Sequence, residues 1–384
     1  MARRAARKQS AKRSDPDAAP PPSVLSHGAA QLPLVRVDTY NEELRDPEGF
    51  VGDRASNRAF HTMVEEWRER LRRVGRDPFG RDEQLKKKKL DKALTDGDPK
   101  EAGLVQSVIE EFAKEFATVV RRFLRNKAWT DTSCIVVGGG LRKSRVGEVA
   151  IGRTAVLLNA DGCKIDLQPI RNHPDEAGLL GCAFLAPPWV LKGHDAILAV
   201  DIGGSNIRAG LIDLNLKRAA DLSKADVAEL ELWCYADDKE RPSRDQAVEQ
   251  LAKMLRSLIA HAAKAKLKLA PFVGIGCPGI IRDDGSIEKG AQNLPGNWES
   301  KTFNLPQALH ELIPAIGADS SVFMMHNDAV VQGLSEAPYM RDVEHWGVMT
   351  IGTGLGNARF TSNEPPRHRR NGGKAGGKNG RARE

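Results

Sequence analysis

Two aspartates stand where acid–base or metal chemistry could take place. Asp201 follows the apolar run 196–200, and Gly203, Gly204, Ser205 and Asn206 come before the next apolar run. Glycines and a small hydroxyl residue let backbone N–H groups approach phosphate oxygens with no Cβ in the way. A carboxylate at a strand end can hold Mg²⁺ directly or through its waters. An ordinary tight hairpin is the alternative, but a hairpin does not need this combination of residues.

Asp328 is the second aspartate, and it follows the apolar run 322–325 with Asn327 beside it. A carboxylate at a strand end, next to an amide, is placed to orient and deprotonate a hydroxyl group. The alternative is that Asp328 only caps a helix that begins at Ala329. The two roles are compatible with each other.

Two more glycine turns follow apolar runs. The first contains Gly352, Thr353, Gly354 and Gly356, and the second contains Gly138, Gly139 and Gly140. The first suits a phosphate approached from another side, and the second would let a flat nucleotide face lie against the backbone; a plain exit from strand to loop is the alternative. Neither turn fits the spacing of a P-loop or of a dinucleotide-binding fingerprint.

The elements that must position these residues fall into two blocks. In residues 30–190 the pattern predicts helices at 60–74, 105–123 and 176–185 and a strand at 134–137, and the lysine run 86–89 is interpreted as a solvated helix face. From residue 196, strands are predicted at 197–200, 207–213, 229–234, 272–277, 322–325 and 346–351, with helices at 247–259 and 329–334. Alternating strands and helices indicate an α/β fold, with 187–194 as the link.

Charge and composition set limits on the function classes. The chain has 384 residues and a net charge of +7, but segments 1–17 and 362–384 carry +9, which leaves −2 for the body. A body that wraps DNA would normally be basic itself, so the tails are interpreted as disordered solubilising ends, with weak nucleic-acid or anionic-surface contact as the alternative. Five scattered cysteines and no apolar run of membrane length indicate a reduced, cytoplasmic protein without a zinc site.

Taken together, the motifs resemble the ROK family (repressors, open reading frames and kinases) of the actin-like sugar-kinase superfamily. The matching segments are AVDIGGSNIRAG (199–210), GIGCPGII (274–281), GAQNLPGNW (290–298), MHNDAVVQG (325–333), TIGTGLG (350–356), CIVVGGGLRKS (134–144) and DEAGLLGCAFLA (175–186). The resemblance implies a two-lobe actin-like, ribonuclease H-like ATPase fold.

The order of the segments differs from that of the family. The adenosine segment at 138 precedes the first phosphate segment at 201, so the chain is interpreted as circularly permuted, which is tolerated where chain termini lie close together. The expected organisation is a disordered basic tail at 1–29, the family's C-terminal lobe at 30–190, its N-terminal lobe at 196–361 and a second disordered tail at 362–384.

Other departures concern the acceptor. The family's Cys/His zinc cluster is not found, and if GFVGDRASNRAF (49–60) corresponds to its last part, Phe50 replaces a zinc cysteine and Gly52 a sugar-binding glutamate. Asp53 is then the candidate substitute for that glutamate. No helix-turn-helix of the kind that family repressors carry is recognised, which favours catalysis over repression.

The resemblance implies a glucokinase-like, ATP- and Mg²⁺-dependent kinase that phosphorylates a hexose or a related sugar. Asp328 would be the catalytic base. Asp201 would position Mg²⁺, and it therefore also counts among the nucleotide-binding residues. Those residues are Asp201, Gly203, Gly204, Ser205, Asn206, Gly352, Thr353, Gly354, Gly356, Gly138, Gly139 and Gly140, and the sugar-binding residues are Asn293, Asn327 and Gly296. The alternative is a non-catalytic sugar- or nucleotide-sensing protein, and a homodimer is left open.

Overall fold

The fold was examined in a computed structural model that describes residues 26–80 and 85–363. The described strands, in chain order, are β1 Val35–Tyr40, β2 Arg45–Asp46, β3 Gly49–Phe50, β4 Cys134–Gly138, β5 Asp166–Pro169, β6 Ala196–Ile202, β7 Ile207–Asp213, β8 Asp226–Trp233, β9 Leu269–Cys277, β10 Ala315–Ile316, β11 Asp319–Ser320, β12 Val322–Asn327, β13 His345–Ile351 and β14 Leu355–Ser362. The described helices are α1 Asn57–Arg72, α2 Lys87–Asp96, α3 Pro99–Arg125, α4 Arg145–Ala160, α5 Ala177–Gly181, α6 Pro188–Leu191, α7 Arg244–Lys264, α8 Leu305–Leu312 and α9 Asp328–Leu334. The α/β class expected from the sequence is confirmed.

Two five-stranded sheets share one topology. Their orders are β8-β7-β6-β9-β12 and β1-β14-β13-β4-β5. In each sheet the first three strands are antiparallel and the last three are parallel. The strands of the first sheet all come from one continuous segment of the chain, β6 to β12. The second sheet joins β13 and β14 to β1, which comes from the other end of the chain. This break supports the interpretation of a circular permutation.

The sheet pairing corrects the expected division at two places. Strands β13 and β14 were assigned to the block 196–361, but β13 pairs in parallel with β4, so both strands belong to the sheet of the first block. Pairing across the sheet, not proximity along the chain, decides membership. The sequence also predicts that the turns after β4 and β13 face each other across a cleft, but Gly138 lies beside Thr350, so the two turns are neighbours on one sheet.

The ends of the described chain also differ from the expected tails. The Gly28 N–H donates to the Met325 carbonyl at 3.0 Å, and the Asn363 N–H donates to the Leu34 carbonyl at 3.0 Å. Residues 26–29 and 362–363 are therefore part of the folded body, because Gly28 bonds to β12 at the edge of one sheet and Asn363 lies beside β1 at the edge of the other. The rest of the two expected tails lies outside the described residues.

Alternating side chains on the strands divide the core into layers. In β4, Cys134 and Val136 face the helices α5 and α9 between the sheets, whereas Ile135 and Val137 face the outer helices α1–α4. In the other sheet, Ile197 faces the inner layer and neighbouring side chains of β6 face α7 and α8. Because successive strand residues point to opposite faces, fully apolar strands are covered on both sides.

Helix starts follow ordinary capping chemistry. Asp98 caps α3 by accepting from the Lys100 N–H, with Pro99 at the first helical position. Ser243 and Gln246 form a capping box at the start of α7. These signals place the two helix starts several residues before the apolar periodicity that predicted them. No helix among residues 26–80 and 85–363 is long and apolar enough to span a membrane.

The join between β1 and β14 is held by Arg359, which gives a first prediction. Its guanidinium, 10% exposed, donates to Asp38 at 2.5 Å and to the Thr130 carbonyl at 2.7 Å. Arg359→Met leaves the Asp38 carboxylate largely buried without this partner, so the free energy of unfolding should fall by about 3–5 kcal/mol. Urea unfolding followed by circular dichroism measures the change.

The matched control is Arg36, which pairs with the same Asp38 at 2.8 Å but is 56% exposed. Arg36→Met should change the free energy of unfolding by about 0–1 kcal/mol, because an exposed pair is screened by water. Equal effects of the two substitutions would contradict the β1–β14 join.

Candidate functional site

One cavity lies where the carboxyl ends of the parallel strands from both sheets meet. It has a volume of about 470 Å³. The end of β6 supplies Asp201, the end of β12 leads into Asp328, and the turns after β4 and β13 close the opposite wall. The predicted residues that line it together are Asp201, Gly203, Gly204, Ser205, Asn206, Asn293, Asp328, Gly352, Thr353, Gly354, Gly356, Gly139 and Gly140.

Three predicted residues do not line the cavity. Gly138 is buried within β4, where a Cβ would lie 3.1 Å from the Gln332 side chain. Gly296 has a positive φ of 79° and packs against the backbone of Arg244. Asn327 is buried below the cavity floor. These positions support the loops around the cavity instead of facing a ligand.

The glycine turns meet at distances that leave little room for side chains. A Cβ on Gly204 would lie 3.4 Å from the Asn293 Cβ and 3.8 Å from the Thr353 hydroxyl, so these two phosphate-type turns face each other. Gly139 has φ 83°, and a Cβ there would lie 2.5 Å from the Ile351 nitrogen. Only glycine fits that combination of conformation and close backbone contact. The turns therefore bring backbone, and not side chains, close to one another at the cavity wall.

At the start of α9, one residue caps the helix and the next one lines the cavity. The side-chain Oδ1 of Asn327 accepts from the Ala329 N–H at 3.0 Å and the Val330 N–H at 3.3 Å, and its Nδ2 donates to the Gly279 carbonyl at 3.0 Å. Asn327 is thus the helix cap, and its predicted sugar contact is replaced by these backbone bonds. Asp328, the first helical residue, lines the cavity.

Burial and a neighbouring charge tune Asp328. Burial raises the pKa of its carboxyl group to about 7, and the negative charge of Asp201 adds to the increase. Burial also raises the pKa of Asp201, against the opposing effect of the Arg208 guanidinium. A carboxylate with a pKa near neutrality suits a general base, which must both take and release a proton.

Arg208 is a site residue that the sequence analysis missed. Its guanidinium donates to Asp201 at 3.1 Å and to Asp175 at 2.8 Å, and Asp175 also binds the ammonium of Lys143. Burial would raise the pKa of Asp175, but these two cations hold it below its usual value. The sequence feature that could have identified Arg208 was the hairpin register, since a turn at 203–206 sets Arg208 opposite Asp201.

Other missed residues come from helices and loops distant in sequence. Lys87 of the presumed solvated lysine run lines the cavity, so that interpretation is wrong for this residue. Gln332 lies one turn after Asp328 on α9, and its buried Oε1 has no hydrogen-bond partner among the described residues. Asn41, Asn57, Glu43 and Gln292 complete the polar lining. Single polar residues of this kind carry no spacing pattern that a sequence reveals.

Asp53, the expected substitute for a sugar-binding glutamate, does not line the cavity. Asp53 is exposed in a short 3₁₀-helix, and Gly52 packs beneath Leu355. Phe50 lies under the Arg45 guanidinium, 3.7 Å from its ring centre. Glu43, ten residues before Asp53, is the carboxylate of this segment that lines the cavity.

The carboxylates fit a hydrated magnesium ion. In residues 26–80 and 85–363, no group of three or more His, Cys, Asp or Glu side chains is arranged to hold a metal. Mg²⁺ typically keeps several waters and uses one or two carboxylates together with substrate phosphates. Asp201 and Asp328 would supply that donor set, and a bound cation would offset the negative charge of Asp201 that raises the pKa of Asp328.

Comparison with known sequences confirms the resemblance seen in the motifs. The model of the ROK family matches residues 197–376. This part of the chain contains both site aspartates and two of the three glycine turns. No curated protein matches the chain.

Three solved structures are similar to part of the chain. A protein from Cytophaga hutchinsonii, assigned as a sugar kinase, is 17% identical with a TM-score of 0.30, covering 44% of this chain and 48% of that chain. A Listeria monocytogenes protein, assigned as an N-acetylmannosamine kinase, is 22% identical with a TM-score of 0.31 and coverages of 44% and 48%. The ROK hexokinase of Thermus thermophilus is 19% identical with a TM-score of 0.28 and coverages of 42% and 45%. The chain thus spans about half the length of these structures.

The raised pKa of Asp328 predicts a gain in stability when its charge is removed. A folded-state pKa of about 7, above the unfolded value, means that stability is lost as the pH rises through 7. Asp328→Asn should therefore raise the free energy of unfolding by about 1–3 kcal/mol at pH 8. The gain should shrink as the pH falls below the unfolded value of 3.8, where the wild-type carboxyl group becomes protonated in both states.

Urea unfolding of the metal-free, nucleotide-free protein at several pH values measures this effect. The exposed Asp53 provides the control, because Asp53→Asn should be neutral across the same range. A loss of stability for Asp328→Asn at pH 8 would contradict the buried-carboxylate geometry.

Proposed function

We propose that this chain, which belongs to the ROK family over residues 197–376, is an ATP-dependent kinase that phosphorylates a hydroxyl of a hexose or related sugar. The observation that carries the proposal is the start of α9. There Asn327 caps the helix, which leaves the Asp328 carboxylate facing a cavity lined by three glycine turns.

The proposed reaction moves one proton and one phosphoryl group. Asp328 accepts the proton of the sugar hydroxyl while that oxygen forms a bond to the γ-phosphorus of ATP. The bond between the γ-phosphorus and the bridging oxygen breaks, so the products are ADP and a sugar phosphate. Positioning and charge stabilisation supply most of the catalysis in such transfers. The pKa of about 7 lets Asp328 hold the proton and then return it to solvent.

The donor would lie on the glycine turns. The facing turns at Gly204 and Thr353 offer backbone N–H groups to phosphate oxygens, and Gly139 and Gly140 allow close approach of the nucleotide. Asp201, held by Arg208, would hold Mg²⁺ through its waters. When bound, the metal would neutralise charge on the phosphate chain.

The acceptor would use the amide-rich part of the lining. Asn293 lies beside Gly204, and the Asn41 amide lies next to Gly290. Together with Gln292 and Glu43, these side chains offer both donors and acceptors, which is what a polyol needs. Glu43 would take the hydroxyl-binding role that the family gives to a glutamate at the position of Gly52.

Asp328→Asn tests the catalytic assignment. Asparagine keeps the size of the side chain but cannot take a proton, so turnover should fall ~10²–10⁴-fold. The affinities for ATP and sugar should change much less. Steady-state kinetics with ATP over a panel of sugars, beside calorimetric binding, separates the two effects.

Asp53→Asn is the control, and it should leave turnover unchanged. Unchanged turnover of Asp328→Asn in an active enzyme would eliminate Asp328 as the base. A wild-type protein that binds sugar, shown by thermal shift, but transfers no phosphate to any sugar tested would favour the sensor alternative.

A further inference from the structure

Lys87 is a cavity residue to which the proposed reaction gives no role. It is the first residue of α2, and its ammonium donates to the Gly140 carbonyl at 2.8 Å and to the side-chain Oδ1 of Asn57 at 3.1 Å. Both acceptors are neutral, and a lysine ammonium has three hydrogens to donate. The neighbouring Lys88 is exposed, so Lys87 differs from Lys88 in being part of the cavity wall.

The charge of Lys87 is poorly compensated. No carboxylate of the described residues lies within 4.0 Å of its ammonium, whereas Lys143, on the same wall, is paired with Asp175. Burial and, to a smaller extent, the positive charge of Lys143 together lower the pKa of Lys87 to about 8, against a weaker opposing effect of Asp91. A half-buried cation without an anion is unfavourable unless a ligand supplies one.

The position of Lys87 indicates which ligand atoms would supply that charge. Its ammonium is fixed to the carbonyl of Gly140, in the turn whose Gly139 must be glycine. A neutral sugar would not compensate a lysine there, but a phosphate oxygen would. The charge therefore points to the phosphate chain of the same donor whose nucleotide the glycine turn would hold.

We propose that Lys87 is a specificity-determining residue for the phosphoryl donor, binding an anionic oxygen of the donor's phosphate chain beside the Gly139–Gly140 turn. The inference rests on the proposed function, because it assigns the donor to this cavity. Nucleoside triphosphates and inorganic polyphosphate share the required chemistry, and the experiment distinguishes them.

Direct binding tests the proposal independently of turnover. Calorimetry with ATP, with adenosine and with inorganic polyphosphate is applied to the wild type, Lys87→Met, Lys87→Arg and the control Lys88→Met. A charge-assisted hydrogen bond predicts that Lys87→Met weakens ATP binding by roughly 10–100-fold. Adenosine binding should stay unchanged in Lys87→Met, and Lys88→Met should bind all three ligands like the wild type.

The pH dependence separates a ligand contact from a structural role. The groups that face Lys87 are Lys143 after β4, Asp91 on its own helix, and His61 and Glu65 on α1. Wild-type affinity for ATP should fall as the pH rises above about 8, because the ammonium loses its proton. Lys87→Arg, which stays charged, should bind ATP with little change over that range.

The outcomes separate this inference from the proposed function. A wild type that binds ATP in a Lys87-dependent way but transfers no phosphate would refute the kinase and keep the phosphate contact. Tighter, Lys87-dependent binding of polyphosphate would support the contact and identify polyphosphate as the donor. Equal losses for ATP and adenosine in Lys87→Met, or no binding of ATP or polyphosphate by the wild type, would overturn the inference.

Discussion

The bond of Arg208 to two aspartates is the interaction on which the site depends. Its guanidinium reaches Asp201 in the sheet of β6 and Asp175 before α5, and Lys143 extends the chain of charges. Without Arg208, Asp175 and Asp201 would be negative charges in a largely buried wall, with Asp328 nearby. Removing one partner from a buried ionic network leaves the other charges uncompensated, which is strongly destabilising. The same contact that holds the segments together therefore also permits the negative charge that the proposed chemistry needs.

The shared topology of the two sheets explains why the site forms at one place. Parallel strands end at one edge of a sheet, and the two edges meet over the helices α5 and α9. Polar loops at such edges are free to bind ligands, because the strands beneath them are buried and rigid. The break in chain order between β14 and β1 leaves this arrangement intact, because strand pairing does not depend on the order of the strands along the chain.

The site also shows how proposed function and stability oppose each other. Asp328 has its pKa raised by burial and by Asp201, and Lys87 has its pKa lowered by burial and by Lys143. In both cases the surroundings of the group disfavour its charged form. A ligand that brings a hydroxyl proton, a hydrated cation and phosphate oxygens would relieve both strains, so part of its binding free energy would come from groups that the fold keeps poorly compensated.

By itself, the sequence determined the α/β class, the presence of the long amphipathic helix and of the apolar strands, and the identity of the glycine turns and two aspartates. These follow from local periodicity and from residue chemistry that needs no partner. The tertiary structure decided that β13 and β14 join the sheet of β4, that Asn327 caps while Asp328 faces the cavity, and that Lys87, Arg208 and Glu43 line it. The physical reason is that strand pairing, burial and ion pairing depend on which residues meet in space. A lysine in a charged run has the same sequence pattern whether its side chain is solvated or lines a cavity.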